Sequence, residues 1–436
     1  MSQRSLLELA DDCWQGRATA SEIGRYGVGH LEEVADGVAM VPGFGSAFPI
    51  RHEGGVSLFD TGPRPTARAF FDAVRRWTPE PLHYAVYSHG HIDHVFGLGP
   101  FDEEADQQGR SRPVVVAHEN VLPRFERYQR TLGYNGIINQ RQFGNARLRW
   151  PSTYRIPDVT YRREHLIRAG ERELRLTHQL GETDDATVGY LPDAKVLFPG
   201  DLFLWVTPNA GNPQKVQRYP VEWAHALRWM ADLGAEVMLG SHGVPVVGAD
   251  RIRQALEETA AYLETLVEQT LEVMNRGGTV LEAIHEVRPP AGLADRPYLQ
   301  PVYDEPEFVV RNTWRLYGGW YDGNPAHLKP APESAVAAEI AALCGGAAAL
   351  ADRAAVLAEA GDHRLAGHLA QLAVLASPED AHAHEVRAAV FSTRAEQELS
   401  TMSKGVFGWA AAESRAAIAG TDTLEEVGTG NPHFTL

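Results

Sequence analysis

Residues 88–94 read Ser-His-Gly-His-Ile-Asp-His and follow directly on the apolar run at 83–87. His89 and His91 are two positions apart, so in an extended loop both imidazoles point to one side, and Asp93 and His94 follow at a neighbouring position. Imidazole and carboxylate together suit zinc and related first-row metals. Four ligand-type residues within six positions exceed what one tetrahedral ion accepts while keeping a place for water, so the spacing predicts two metals. A solvated, His-rich loop tip is the plain alternative, and placement at a strand end argues against it.

The rest of the chain predicts a layered scaffold for that loop. Apolar or β-branched runs bounded by turn residues at 37–43, 54–62, 83–90, 114–120, 173–179, 188–201 and 235–243 read as strands, with a short amphipathic helix at 66–77. Strands with intervening helices point to an α/β fold. Ile252, Leu256, Ala260, Leu263, Val267, Leu271 and Met274 form one apolar stripe of a long helix that Gly277-Gly278 stops. A Pro- and aromatic-rich connector at 288–308 precedes an alanine-rich helical region from about 335, where Leu365, Leu369, Leu372 and Ala373 make another stripe.

The expected division is 1–248 catalytic, 249–330 long helix and connector, 331–420 helical, and 421–436 a loose tail. With 436 residues and a net charge of −17, nucleic acid and anionic membranes are unfavourable partners. No apolar run is long enough to cross a membrane. The acidic start at Asp11-Asp12 does not suit a signal peptide, and Cys13 and Cys344 alone make no disulfide framework. A cytoplasmic location is expected.

The His-x-His-x-Asp-His motif resembles that of the metallo-β-lactamase superfamily. Further matching positions follow in order: Glu182 in LGETDD, where the superfamily usually has a histidine, then Asp201 in PGD and His242 in GSHG. A glutamate at the third position resembles the zinc-dependent alkylsulfatases, as do the stretches 255–290 and 302–330, the string GWYDGNPAHL at 319–328, and the helical segment 360–380.

The resemblance implies an αββα metallo-β-lactamase sandwich followed by an all-helical dimerisation domain, and a homodimer formed through that domain. It also implies two Zn2+, with iron or manganese left open by the acid-rich set. His89, His91 and Glu182 would hold one metal, Asp93, His94 and His242 the other, and Asp201 would bridge them. Water between two dications ionises near neutral pH and becomes the nucleophile towards a small-molecule ester, here a sulfate monoester. His178 reads as a structural strand residue. Asp60 reads either as an orienting partner of a histidine ligand or as a plain strand-ending turn residue.

The substrate side departs from the alkylsulfatases. Residues 201–218 read DLFLWVTPNAGNPQKVQR, which retains Asn209 but has no clear counterpart of the family's histidines or its Arg-Gly pair. Lys215 or Arg218 would supply the cation for the anionic ester, unless each is a solvated charge. In 133–145, Asn135 and Arg141 are polar candidates, while Tyr134 and Phe143 either wall an apolar pocket or pack in the core. With Asp93 and Asp201, the residues Asn209, Lys215 and Arg141 make up the expected catalytic set. A lipid-transfer-like domain usual in the family has no counterpart, which argues against a long-chain surfactant substrate.

Three other readings compete: a same-fold hydrolase of a carboxylic ester, lactone, thioester or phosphoester; a diiron redox protein; and a silent dimeric binding protein. The last is disfavoured, because packing alone does not require seven clustered ionisable groups.

Overall fold

The computed structural model describes residues 4–421. Of the tail expected at 421–436, all but Thr421 lies outside the described residues. The first sheet holds β1 (Glu32–Ala35), β2 (Val38–Met40), β3 (Phe48–His52), β4 (Gly55–Phe59), β5 (Leu82–Val86), β6 (Val114–His118) and β7 (Val159–Tyr161), side by side in chain order. Its strands pair antiparallel as far as β4 and parallel from β4 to β7.

The second sheet holds β8 (Glu164–Ala169), β9 (Arg172–Gln179), β10 (Ala186–Leu191), β11 (Val196–Leu204), β12 (Val237–His242) and β13 (Val246–Val247). All its pairs are antiparallel except β11 with β12. The run at 188–201 is therefore a hairpin, with its turn between Leu191 and Val196.

Side-chain alternation sends each strand into two cores. In β4, Phe59 enters the core between the sheets, whereas Val56 and Leu58 face the outer helices. The chain's first five α-helices are α1 (Leu6–Trp14), α2 (Ala67–Trp77), α3 (Gly99–Gln107), α4 (Val121–Arg130) and α5 (Leu132–Phe143). Of these, α2, α3 and α4 are the outer helices that cover the first sheet, whereas α1 packs into the core between the sheets. Between the sheets, Phe198 of β11 stacks on Phe59 at 5.1 Å and tilts against Phe48 at 5.7 Å. Gly189 makes room for this, since a Cβ there would lie 2.6 Å from the Phe59 ring.

On the second sheet lie α6 (Pro220–Ala231) and α7 (Ala249–Asn275). The architecture is the αββα sandwich that the strand pattern and the motif led us to expect. The α7 stripe holds as far as Val267, but beyond it Thr270 and Val273 are buried in place of Leu271 and Met274. The stripe averages about 3.67 residues per step against 3.6 per helical turn, so along this long helix it creeps round the axis and off the buried face.

The chain continues through α8 (Val280–Glu286), α9 (Pro306–Gly318) and α10 (Pro325–Leu328) into α11 (Glu333–Cys344), α12 (Ala347–Glu359), α13 (His363–Ala376), α14 (Ala381–Gln397) and α15 (Thr401–Ala419). The core of α11 to α14 is built mainly of alanines, among them Ala351, Ala354, Ala366, Ala370 and Ala373. The leucine stripe expected on α13 is only partly right. Leu365 is 46% exposed, and Leu369 and Leu372 flank the core, whereas Ala366, Gly367 and Ala370 fill it. Small residues let these helices approach closely and leave the leucines at the rim.

The helical region reaches back onto the sandwich through α15, which packs on α14 and crosses α5. Gly405 sits at that crossing, where a Cβ would lie 2.0 Å from the Gln142 carbonyl oxygen. Gly405→Ala should therefore lower stability by about 1–3 kcal/mol through overpacking, against the ~1 kcal/mol that alanine gains in a helix. Urea denaturation checks the sign, and a more stable variant would refute the close approach.

Candidate metal centre

Four strand ends and loops deliver the ligand-type side chains. The loop after β5 carries His89, His91, Asp93 and His94; the β9–β10 turn carries Glu182; β11 carries Asp201; and β12 ends on His242. Gly200 lets β11 pass close by, because its φ is +58° and a Cβ there would lie 2.9 Å from the Ser88 side chain. The side chains gather into two groups, His89, His91, Glu182 and Asp201, and Asp93, His94 and His242.

Most spacings within these groups suit metal ligands, although His89 Nε2 and His91 Nδ1 lie at a hydrogen-bonding 2.7 Å. Two atoms each about 2.1 Å from a tetrahedral ion lie about 3.4 Å apart. Glu182 Oε2 is 3.4 Å from His91 Nδ1 and 3.6 Å from His89 Nε2. Asp93 Oδ2 is 3.3 Å from His94 Nε2 and 3.4 Å from His242 Nε2. Asp201 spans both groups, with Oδ2 3.7 Å from His89 Nε2 and 3.3 Å from His242 Nε2, and Oδ1 3.6 Å from His94 Nε2.

Unpaired atoms test the fit. Among the described residues, His94 Nε2, Glu182 Oε2 and Asp201 Oδ1 are buried without a hydrogen-bond partner. Leaving such atoms bare in a protein interior costs roughly 1–3 kcal/mol each, which a cation at the centre of the groups would remove. The donor set of imidazoles and carboxylates fits zinc, and its share of acids also accommodates iron or manganese.

Protonation follows the same field. Burial lowers His89 to about 4 and takes His91 well below its ordinary value. Burial also opposes charge on His94 and His242, but Asp93 and Asp201 outweigh it and raise both. Burial pushes Glu182 up to about 7 despite Arg218.

A ring of partners fixes the ligands. The fully buried Asp60 accepts from His94 Nδ1, Ser88 Oγ and Ser241 Oγ at 2.8 Å each, and from Ser88 N at 2.7 Å. It is at once the orienting partner and the turn residue, because its φ is +56°, in the left-handed region that an Asp rarely adopts. Asp185 accepts from the Gly90 amide at 3.0 Å, between the first two histidines, and pairs with buried Arg124 at 2.6 Å.

Neither Asp185 nor Arg124 stood out from spacing. Asp185 follows Glu182 by three residues in a run of acids and hydroxyls, and nothing in the sequence around Arg124 marks it. His178 lies outside the ligand groups, stacked on His118 at 3.6 Å and bonded to the Ala186 carbonyl oxygen.

The substrate-side candidates separate. Asn209 donates to Glu182 Oε1, and Arg218 donates to the Glu182 backbone oxygen while lying 3.4 Å from Oε1. Both are buried, so Asn209 braces a ligand instead of facing open space, and Arg218 is no solvated charge. Lys215 is half-buried; its Nζ donates to Asn139 Oδ1 at 2.9 Å and lies 5.6 Å from the Trp150 ring centroid. Burial, with Arg218 next, lowers its pKa to about 7.

Arg141 donates to Gln214 and ties α5 to the 201–218 segment. Asn135 bonds Thr131, the residue just ahead of its own helix. Phe143 stands edge-on to Phe44, which stands edge-on to His242 at 5.3 Å. Tyr134 is 61% exposed and neither walls a pocket nor packs in the core, because it falls on the outer face of α5.

Comparison with known proteins agrees with this geometry. Residues 40–242 match the metallo-beta-lactamase superfamily and residues 279–417 match alkyl sulfatase dimerisation. A linear primary-alkylsulfatase of a Pseudomonas species is 29% identical over 77% of this chain and 68% of its own length. An (R)-specific secondary-alkylsulfatase, also from Pseudomonas, is 27% identical over 86% of this chain and 60% of its own length. The solved structure of a stereoselective inverting sec-alkylsulfatase from Pseudomonas superposes with a TM-score of 0.80 at 25% identity, over 90% of this chain and 66% of that one. The chain is a homologue of the alkylsulfatases. It spans roughly 60–68% of the length of the two Pseudomonas relatives.

The Arg124–Asp185 pair carries a pH signature. Burial alone would raise Asp185, and Arg124 overrides it and holds the carboxyl at about 2. The folded value thus lies below the unfolded one, so its stabilisation, about 2 kcal/mol, is present above pH ~4 and is lost as pH falls towards 2. Arg124→Met should cost about 3–5 kcal/mol at neutral pH by stranding a buried charge. It should also abolish that acid limb in urea titrations run from pH 7 to 2.

Proposed function

We propose that this chain is a metal-dependent hydrolase of sulfate monoesters, working with two metal ions at the His89/His91/Glu182 and Asp93/His94/His242 groups. The observation that carries the reading is the position of Asp201, within 3.7 Å of a histidine from each group, in a homologue of alkylsulfatases. Metal ions held there would supply Lewis acidity and ready ionisation of water.

The protein's own part is positional. Asp60 fixes the His94 ring so that Nε2 points into the centre, and Asn209 and Arg218 hold Glu182. Lys215 is the cation nearest in role to an anion anchor. It stands between Asn139 and Trp150, and the carboxylates of Glu182 and Asp93 act on it. Phe44 and Phe143 offer apolar surface beside His242 for the organic part of the ester. We assign self-association, as a homodimer, to the alanine-rich helices of the segment that matches alkyl sulfatase dimerisation. A cytoplasmic setting accords with the two unpaired cysteines.

Sulfate release by zinc-loaded protein tests the reading, using short and long alkyl sulfates and an aryl sulfate. The expected result is turnover that disappears on chelation and falls at least about 10²-fold in Asp93→Ala, on the scale of losing a group that acts directly in the chemical step. Protein that carries two metals per chain and releases no sulfate from any of them would refute the sulfatase reading. Carboxylic and phosphate esters would then be the substrates to try.

A further inference from the structure

Between α9 and α11 the chain forms an arm that buries almost nothing. Every residue from 317 to 336 is exposed except Asp322, and no residue of α10 is buried. The arm nevertheless carries large apolar side chains. Trp320 is 72% exposed, and Tyr317, Tyr321, Leu328 and Val336 are open to solvent with it. Helix α11 continues this surface. Its buried residues are Ala337 and Ala341, one turn apart, whereas Val336 and Leu343 lie two turns apart on another face. Leu343 is 88% exposed, more than any other large hydrophobic side chain among the described residues.

The arm is shaped from within. The Asp322 carboxylate accepts from His327 Nδ1 at 2.6 Å and from the Asn324 amide at 3.0 Å, and the Asn324 side chain accepts from the Ala326 amide at 3.0 Å. It is tethered where Trp314 Nε1 donates to the Tyr321 oxygen at 3.3 Å. Gly323 also lies against Thr279, just ahead of α8, so closely that a Cβ would meet the Thr279 methyl at 2.6 Å. These contacts fix the backbone and leave Trp320 and Leu328 uncovered.

Composition points to a protein partner. Residues 317–332 carry only two charged side chains, Asp322 and Lys329, and the first is spent on His327. An aromatic-rich, charge-poor surface is what the buried centre of a protein interface is made of, and exposed apolar surface of this extent marks an interaction site. Two copies of a chain at −17 repel each other at long range, so a contact between them belongs where charge is sparse. All these residues lie within 279–417, the segment that matches alkyl sulfatase dimerisation. In that segment the alanines of α11 to α14 are turned to their own core, and the stretch 317–343 holds most of the exposed large hydrophobic side chains.

We propose that the arm at 317–336 and the outer face of α11 form the core of the contact between two copies of this chain, with Trp320 as its anchor. This rests on the homodimer reading. A two-fold dimer uses the same patch on both copies, so each substitution in it acts twice.

Light scattering behind a sizing column tests the contact. Wild-type protein should show twice the 47.9 kDa mass of one chain. Losing a tryptophan anchor weakens an interface about thirtyfold or more, and both copies lose it, so Trp320→Ser should raise the dimer dissociation constant about 10³-fold. Tyr134→Ser, which removes a similarly exposed aromatic ring from α5, should stay dimeric. If Trp320→Ser fails to fold, hydrogen exchange on the wild type reads the same surface. Amides of 317–343 should exchange more slowly above the dissociation constant than below it, and those of α5 should not change. A folded Trp320→Ser that stays dimeric, or exchange in 317–343 that is the same on both sides of the dissociation constant, would overturn this contact and leave the homodimer reading in place. A monomeric wild type would overturn both, and its flotation with phosphatidylcholine vesicles would give the apolar surface to a membrane.

Discussion

The Asp60 carboxylate is the contact on which the site depends. It lies at the end of β4 in a backbone conformation unusual for a side chain of its size, and it gathers donors from the histidine loop and from β12. Those donors come from both sheets, so one buried charge pins the sandwich together where the ligand groups meet. Burying it is tolerable because four donors share it.

Around that contact the protein repeats one device, a buried ionisable group held by a neighbour of complementary charge or by backbone amides. Arg124 fixes Asp185 and through it the Gly90 amide. Arg218 and Asn209 fix Glu182, and the backbone amides of Gly211 and Asn212 fix Asp304. Each device holds a loop that has no regular ladder of its own. The arrangement holds the ligand-type side chains in place by partners outside the two groups.

The helical region is part of this construction. Through Ser400, Thr401 and Gly405 it steadies the connector at 302–305 and the end of α5. A segment that matches alkyl sulfatase dimerisation thus also braces the sandwich through its backbone and side chains.

Four candidate metal ligands stand in one short loop, where spacing and residue type alone pointed to metals. Glu182, Asp201 and His242 came from the resemblance to the metallo-β-lactamase superfamily, and the structure gathers all seven into two groups. A layered α/β fold was legible for a similar reason, since glycine-bounded apolar runs mark strands, while the αββα order came from the family resemblance. What spacing could not reveal were the long-range partners: Arg124 with Asp185, Asp304 with the 211–212 amides, and Tyr303 with Gln142, the last separated by 161 residues. Nor could it say that Asn209 and Arg218 turn inward to Glu182, or that alanines fill the α13 core while Leu365 stays outside. Those outcomes depend on which backbones approach within hydrogen-bonding or van der Waals reach. Packing of the whole chain settles that, and no local run of residues encodes it.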